Sequence, residues 1–165
     1  MPDRVHPCFY NMRILGIETS CDESAAALVE VKAGCFQSGR KTRAGRQRAN
    51  NAVPEFHVLK SLISSQVEIH SQYGGVVPEV AARNHVNNLL PVIDHLFAET
   101  KLDPVKHSTD RPDLIAVTAG PGLATSLLVG IWTAQTLSLA WKVPVVGVNH
   151  MQGHVVANWL DLTTD

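Results

Sequence analysis

The 165-residue chain carries fourteen Lys and Arg against fifteen Asp and Glu, a net charge of −1, and 45% hydrophobic residues. That length supports one ordinary domain with a real core and is too short for two large ones. No apolar run of about eighteen residues is present and the charge is balanced, which excludes a membrane span and a binder of nucleic acid that works by overall charge.

The cysteines Cys8, Cys21 and Cys35 show no CxxC spacing, and Met1 to Met12 lacks the apolar stretch of a secretory signal. A reducing, cytoplasmic setting is expected, with a mitochondrial one as the alternative. Residues 1–12 read as an N-terminal extension and 13–165 as an α/β lobe. Arg13 to Ser20 predicts a strand that ends in small polar residues, and Ser24 to Lys32 a second strand rich in small and branched residues. Between them lies Cys21-Asp22-Glu23. A tight turn with Thr19 and Ser20 before two carboxylates can offer backbone N–H groups to a phosphate and carboxylates to Mg²⁺ or water; a solvated polar hairpin reads the same way.

Residues 32–52 carry Lys32, Arg40, Lys41, Arg43, Arg46 and Arg48 without an acidic residue. Such a stretch buries too little apolar surface to order itself, and so reads as a flexible basic insertion, either an RNA-contacting arm or a solvated loop. His57 to Ser65 predicts a third strand. After the turn-forming Tyr73-Gly74-Gly75, the spacing of Val86, Leu89, Leu90, Ile93, Leu96 and Phe97 predicts an amphipathic helix to about Thr100. Pro91 predicts a kink or a split near Asn88. His85 and His95 read as surface or packing residues.

Asp113 to Ala119 predicts a buried strand, Gly120-Pro121-Gly122 a turn, and Leu123 to Trp141 a long, largely apolar helix. Strand, glycine turn, helix, strand is an α/β pattern, and the turn is suited to bringing backbone N–H groups near an anion, although it matches neither a Walker A loop nor GxGxxG. Val143 to Val148 reads as a buried strand. If a helix begins just after Asn149, His150 and His154 share one helical face, four residues apart, where two imidazoles can hold one Zn²⁺ or Fe²⁺ with a third ligand from elsewhere. Met151 follows His150, so the HExxH metalloprotease pattern is absent.

The segments ILGIETSCDES, SSQVEIHSQYGGVVPEVAARNHVNNLLPVID, DLIAVTAGPGLATSLLVG and VVGVNHMQGH occur in the order seen in the TsaD family, and the chain resembles the N-terminal half of its bacterial and mitochondrial branch. The resemblance implies an actin, sugar-kinase and Hsp70-like (ribonuclease H-like) half-fold, a mixed central sheet flanked by helices, with the C-terminal lobe absent. It implies transfer of a threonylcarbamoyl group from threonylcarbamoyl-AMP to N6 of the adenosine beside the anticodon of tRNAs that read ANN codons. It further implies that His150 and His154 ligate one divalent metal, iron or zinc, whose third protein ligand is an aspartate of the second half. Asp22 and Glu23 would lie near the reaction centre as base or water-ordering groups, with Thr19, Ser20, Gly120 and Gly122 near the nucleotide. Gln152 stands where many bacterial relatives have Glu. Implied partners are tRNA, TsaB-like and TsaE-like proteins and the synthase that makes threonylcarbamoyl-AMP, with ATP and Mg²⁺ in the assembled complex and no membrane. A noncatalytic TsaB-like dimerisation partner is the main alternative; a metalloprotease or a kinase of the same superfamily are weaker ones.

Overall fold

The computed structural model describes residues 11–32, 55–158 and 160. The stretch 33–54, which holds most of the predicted basic insertion, lies outside the described residues, as do residues 1–10 of the predicted extension.

Five strands form one sheet. β1 (Asn11–Glu18), β2 (Glu23–Lys32) and β3 (Glu55–Ser65) are successive antiparallel neighbours, while β4 (Leu114–Gly120) and β5 (Val145–Asn149) run parallel to β1, giving the order β3-β2-β1-β4-β5. Short α1 (Val67–Ser71) precedes α2 (Pro78–Glu99). α3 (Ala124–Trp141) crosses from β4 to β5, and α4 (His150–Ala157) follows β5 directly.

One face of the sheet makes the core, because alternate residues of a strand point the same way. Leu15 and Ile17 of β1, Ala26 and Leu28 of β2, and Ile115 and Val117 of β4 are buried there. Against them α2 sets Leu89, Ile93 and Leu96, spaced to share one helical face. Phe97 meets Trp141 of α3 edge to face, with ring centroids 5.7 Å apart.

Three local expectations change. α2 starts eight residues before Val86 and runs unbroken past Pro91, so the split predicted near Asn88 does not occur. Pro91 lies on the exposed side, and so does Asn87, whose carbonyl loses its helical donor and can take water instead. The valines of β5 are not buried: they form a sheet edge, with Val145 and Val146 exposed. α3, although apolar nearly throughout, buries only Ser126, Leu127, Gly130 and Ala134, and leaves Trp132 and Leu139 exposed.

The small residues of α3 explain how closely it approaches β1. Thr19, 1% exposed, donates its hydroxyl hydrogen to the Ser126 carbonyl at 2.8 Å, and a Cβ on Gly130 would collide with that same hydroxyl. Gly130→Ala should therefore lower stability by about 1–3 kcal/mol through overpacking. Gly153→Ala in α4, where a Cβ meets nothing within 4 Å, should be neutral or stabilise by up to about 1 kcal/mol. Urea denaturation of the two variants checks the contrast; equal losses would contradict it.

Candidate metal and nucleotide site

Because β1, β4 and β5 are parallel, their C-terminal ends emerge at one edge of the sheet. Glu18 ends β1, Thr118 and Gly120 lie at the end of β4, and Asn149 ends β5. The Asn149 side chain accepts from the Gln152 N–H at 3.1 Å and so caps α4. That cap starts the helix at His150, and the two histidines fall on one face as their spacing predicts.

Their Nε2 atoms are 3.0 Å apart and the rings stand at 83°. With nitrogen–metal bonds of about 2.0–2.1 Å, two ligand atoms of one ion lie no more than about 4.2 Å apart, so this separation suits a shared cation. On the other side of the His150 ring, Nδ1 lies 3.1 Å from Glu18 Oε2 and 3.3 Å from Ser20 Oγ. A carboxylate can only accept, so Nδ1 carries the hydrogen and Nε2 keeps its lone pair. The donor set therefore fits a metal ion such as iron or zinc. Among the described residues no cluster of three His, Cys, Asp or Glu side chains is formed.

Glu18 is the candidate site residue that the strand reading misses. Burial opposes its ionisation, but hydrogen bonds from Ser20, Thr118, the Ser20 backbone N–H and His150 outweigh burial and hold its pKa below the usual carboxylate value. Thr118 Oγ1 donates to the same Oε2 that faces His150. A cavity of about 200 Å³ opens beside these groups, lined by Glu18, Thr118, Asn149, His150 and His154. The signal available in the sequence was position alone: an acid at the C-terminal end of an apolar strand, just before the polar turn.

The glycine turn packs onto the β1–β2 turn. Leu123 N–H donates to the Ser20 carbonyl at 2.8 Å, and a Cβ on Gly122 would meet that oxygen at 2.7 Å. Gly120 adopts φ +145°, a backbone conformation open to glycine. Ser20, Gly120 and Gly122 are thus brought together next to His150. Thr19 faces the interior instead, its hydroxyl committed to α3. Asp22 lies in the turn beyond Ser20 and Glu23 opens β2, and no hydrogen bond or ion pair among the described residues joins them to His150 or His154. Partial burial, followed by the neighbouring Asp22, pushes the Cys21 thiol up, away from a nucleophilic thiolate.

A five-stranded mixed sheet flanked by helices, with paired histidines at the strand ends, is what fold and site define. The sequence model of the TsaD family, described as tRNA N6-adenosine threonylcarbamoyltransferase, matches residues 57–165. The chain belongs to that family. It is 47% identical over 151 residues to the protein of that name from Thermomicrobium roseum, covering 92% of this chain and 34% of the relative. It is 45% identical over 152 residues to that from Anaeromyxobacter sp. Fw109-5, covering 92% and 37%. The chain thus spans about a third of the length of these curated relatives. Among solved structures, YeaZ from Pseudomonas aeruginosa aligns at TM-score 0.47 and 20% identity over 84% of this chain and 44% of its own. RuvC from Thermus thermophilus in complex with Holliday junction substrate aligns at 0.49 and 13% over 90% and 73%. No helix among the described residues is long and apolar enough to cross a membrane.

The Glu18–His150 contact predicts that Glu18→Gln weakens binding of Zn²⁺ or Co²⁺ by about 10–100-fold while leaving the far-ultraviolet circular dichroism unchanged. Isothermal titration of the full-length protein measures it. Unaltered affinity would show that Glu18 does not orient the ring.

Proposed function

We propose that this chain supplies the N-terminal part of a tRNA-modifying transferase, which moves a threonylcarbamoyl group from threonylcarbamoyl-AMP to N6 of the adenosine beside the anticodon in tRNAs reading ANN codons. The observation that carries the reading is the pair of Nε2 atoms 3.0 Å apart, backed by Glu18, on a chain of the TsaD family.

In the reaction N6 attacks the carbamoyl carbonyl carbon, the bond from that carbon to the phosphate oxygen breaks, AMP leaves, and N6 gives up a proton. A divalent ion between His150 and His154, iron or zinc, would supply Lewis-acid polarisation and help orient the adenylate. Glu18 fixes the His150 ring so that Nε2 faces the cavity. Ser20, Gly120 and Gly122 form a close-packed floor where backbone can approach an adenylate; Thr19 supports that floor from behind. Asp22 or Glu23 accepts the proton or orders water. The pushed-up Cys21 thiol argues against a cysteine nucleophile. The relatives' shared name supports tRNA as the substrate. Exposed Val86 and Leu90 on one face of α2 support contact with a TsaB-like protein. A TsaE-like protein, the synthase that feeds the site, and ATP with Mg²⁺ complete the proposed system.

Transfer of labelled threonylcarbamoyl to tRNA by the full-length protein tests this. His150→Ala, His154→Ala and Asp22→Ala should each lower the rate by about 100-fold or more, and removing the metal with a chelator should act like the histidine substitutions. Activity retained in all three variants would remove the proposed site.

A further inference from the structure

The polar cluster behind the Cys21–Glu23 turn has no part in the chemistry above. His85, on α2, is completely buried, as are Ser24 and Gln66, and His70 is nearly so. Polar groups removed from water this thoroughly are costly unless each finds a partner, and here the partners form a directed chain.

Its direction is set at one end. His85 Nε2 lies 3.0 Å from the Cys21 carbonyl, which can only accept, so Nε2 bears the hydrogen and Nδ1 the lone pair. Ser24 Oγ, 2.8 Å from Nδ1, then donates to that lone pair, and Gln66 Nε2 makes longer contacts, 3.4 Å to the same nitrogen and 3.5 Å to the Ala81 carbonyl. The Gln66 oxygen accepts from His70 Nε2 at 3.3 Å, while His70 Nδ1 accepts from the Val77 N–H at 3.4 Å. Every donor in the chain meets an acceptor. The arrangement needs a neutral His85 ring, the form that both donates and accepts. Burial, above all, keeps its pKa below the ordinary histidine value.

The chain ends on the turn, twice over. His85 holds the carbonyl of Cys21, and the Gln66 backbone N–H holds the carbonyl of Asp22 at 3.0 Å. These consecutive peptide groups set where the Asp22 and Glu23 side chains leave the backbone. We propose that His85 is a positioning residue which, together with the backbone of Gln66, fixes the turn that presents Asp22 and Glu23 to the reaction. The inference rests on the transferase reading only for what the two carboxylates do; the clasp itself does not depend on it.

The test uses the full-length protein and two independent readouts. In the first, hydrogen exchange of the Gln66 amide, bonded to Asp22, should speed up by about tenfold or more in His85→Ala, while core amides such as Leu15 and Ile17 keep their protection. In the second, His85→Ala should lower kcat for threonylcarbamoyl transfer by about 10–100-fold, the range expected for displacement of a reacting group by about 1 Å, with KM for tRNA within about twofold. His85→Gln, whose amide nitrogen can reach the Cys21 carbonyl, should restore most of both. In an Asp22→Asn background His85→Ala should cost less than about threefold more, because the two act as one unit. Additive losses, no rescue by glutamine, or unchanged Gln66 exchange would each overturn the proposal. If His85→Ala does not fold, Ser24→Ala, which removes one donor to Nδ1 and keeps the ring, carries the exchange test, with a smaller acceleration expected and none overturning it. Should the unaltered protein transfer no threonylcarbamoyl group, the transferase reading falls and the exchange arm alone decides the clasp.

Discussion

A carboxylate taken partly out of water and kept charged is the point around which the site is arranged. Glu18 would rise in pKa on burial alone; it stays ionised because Ser20, Thr118 and His150 all donate to it. Those three donors come from the β1 turn, the end of β4 and the start of α4. One ionised group therefore ties together segments about a hundred residues apart in the chain, and each tie is a charge-assisted bond of the stronger kind. Without Glu18, Thr118 would lose its acceptor and His150 the partner that orients its ring.

The turn after Glu18 is pinned from two sides. α3 grips it through the Thr19 hydroxyl and the Ser20 carbonyl, with Gly122 and Gly130 leaving the room this needs. The segment before α1, with α2, grips it through the Cys21 and Asp22 carbonyls. Few hydrophobic contacts are available to residues 19–22, so hydrogen bonds to the backbone take over the role that packing has elsewhere in the core. Hydrogen bonds from both sides thus tie a turn bearing two carboxylates to a glycine loop and a helix N-terminus.

Much of this was legible in the sequence, for reasons that can be named. The strands showed because alternation and β-branched content report burial on one face, as in β1 and β4. The paired histidines showed because Asn149 is a capping residue, and a cap sets the phase of the helix it begins. Other features were hidden because they depend on partners distant in the chain. Glu18 looks like the polar end of a strand until Thr118 and His150 are seen beside it. His85 reads as a packing residue because nothing local announces that Cys21 and Gln66 will enclose it. The split expected at Pro91 does not occur, since a lost hydrogen bond matters less where the freed carbonyl faces solvent. The valines of β5 misled in the other direction, because a β-branched run identifies a strand without saying whether that strand is interior or at the edge.

α4 has eight residues and buries none of its side chains. A helix that short, left to itself, is dominated by the cost of nucleation, since its few backbone bonds barely repay the ordering of its first turn. Asn149 offsets part of that cost at one end. A ligand gripped by residues 150 and 154 would close the loop between them and so offset more. Binding at this site and completion of the helix would then be one equilibrium seen from two sides, and occupancy would report how fully α4 has formed.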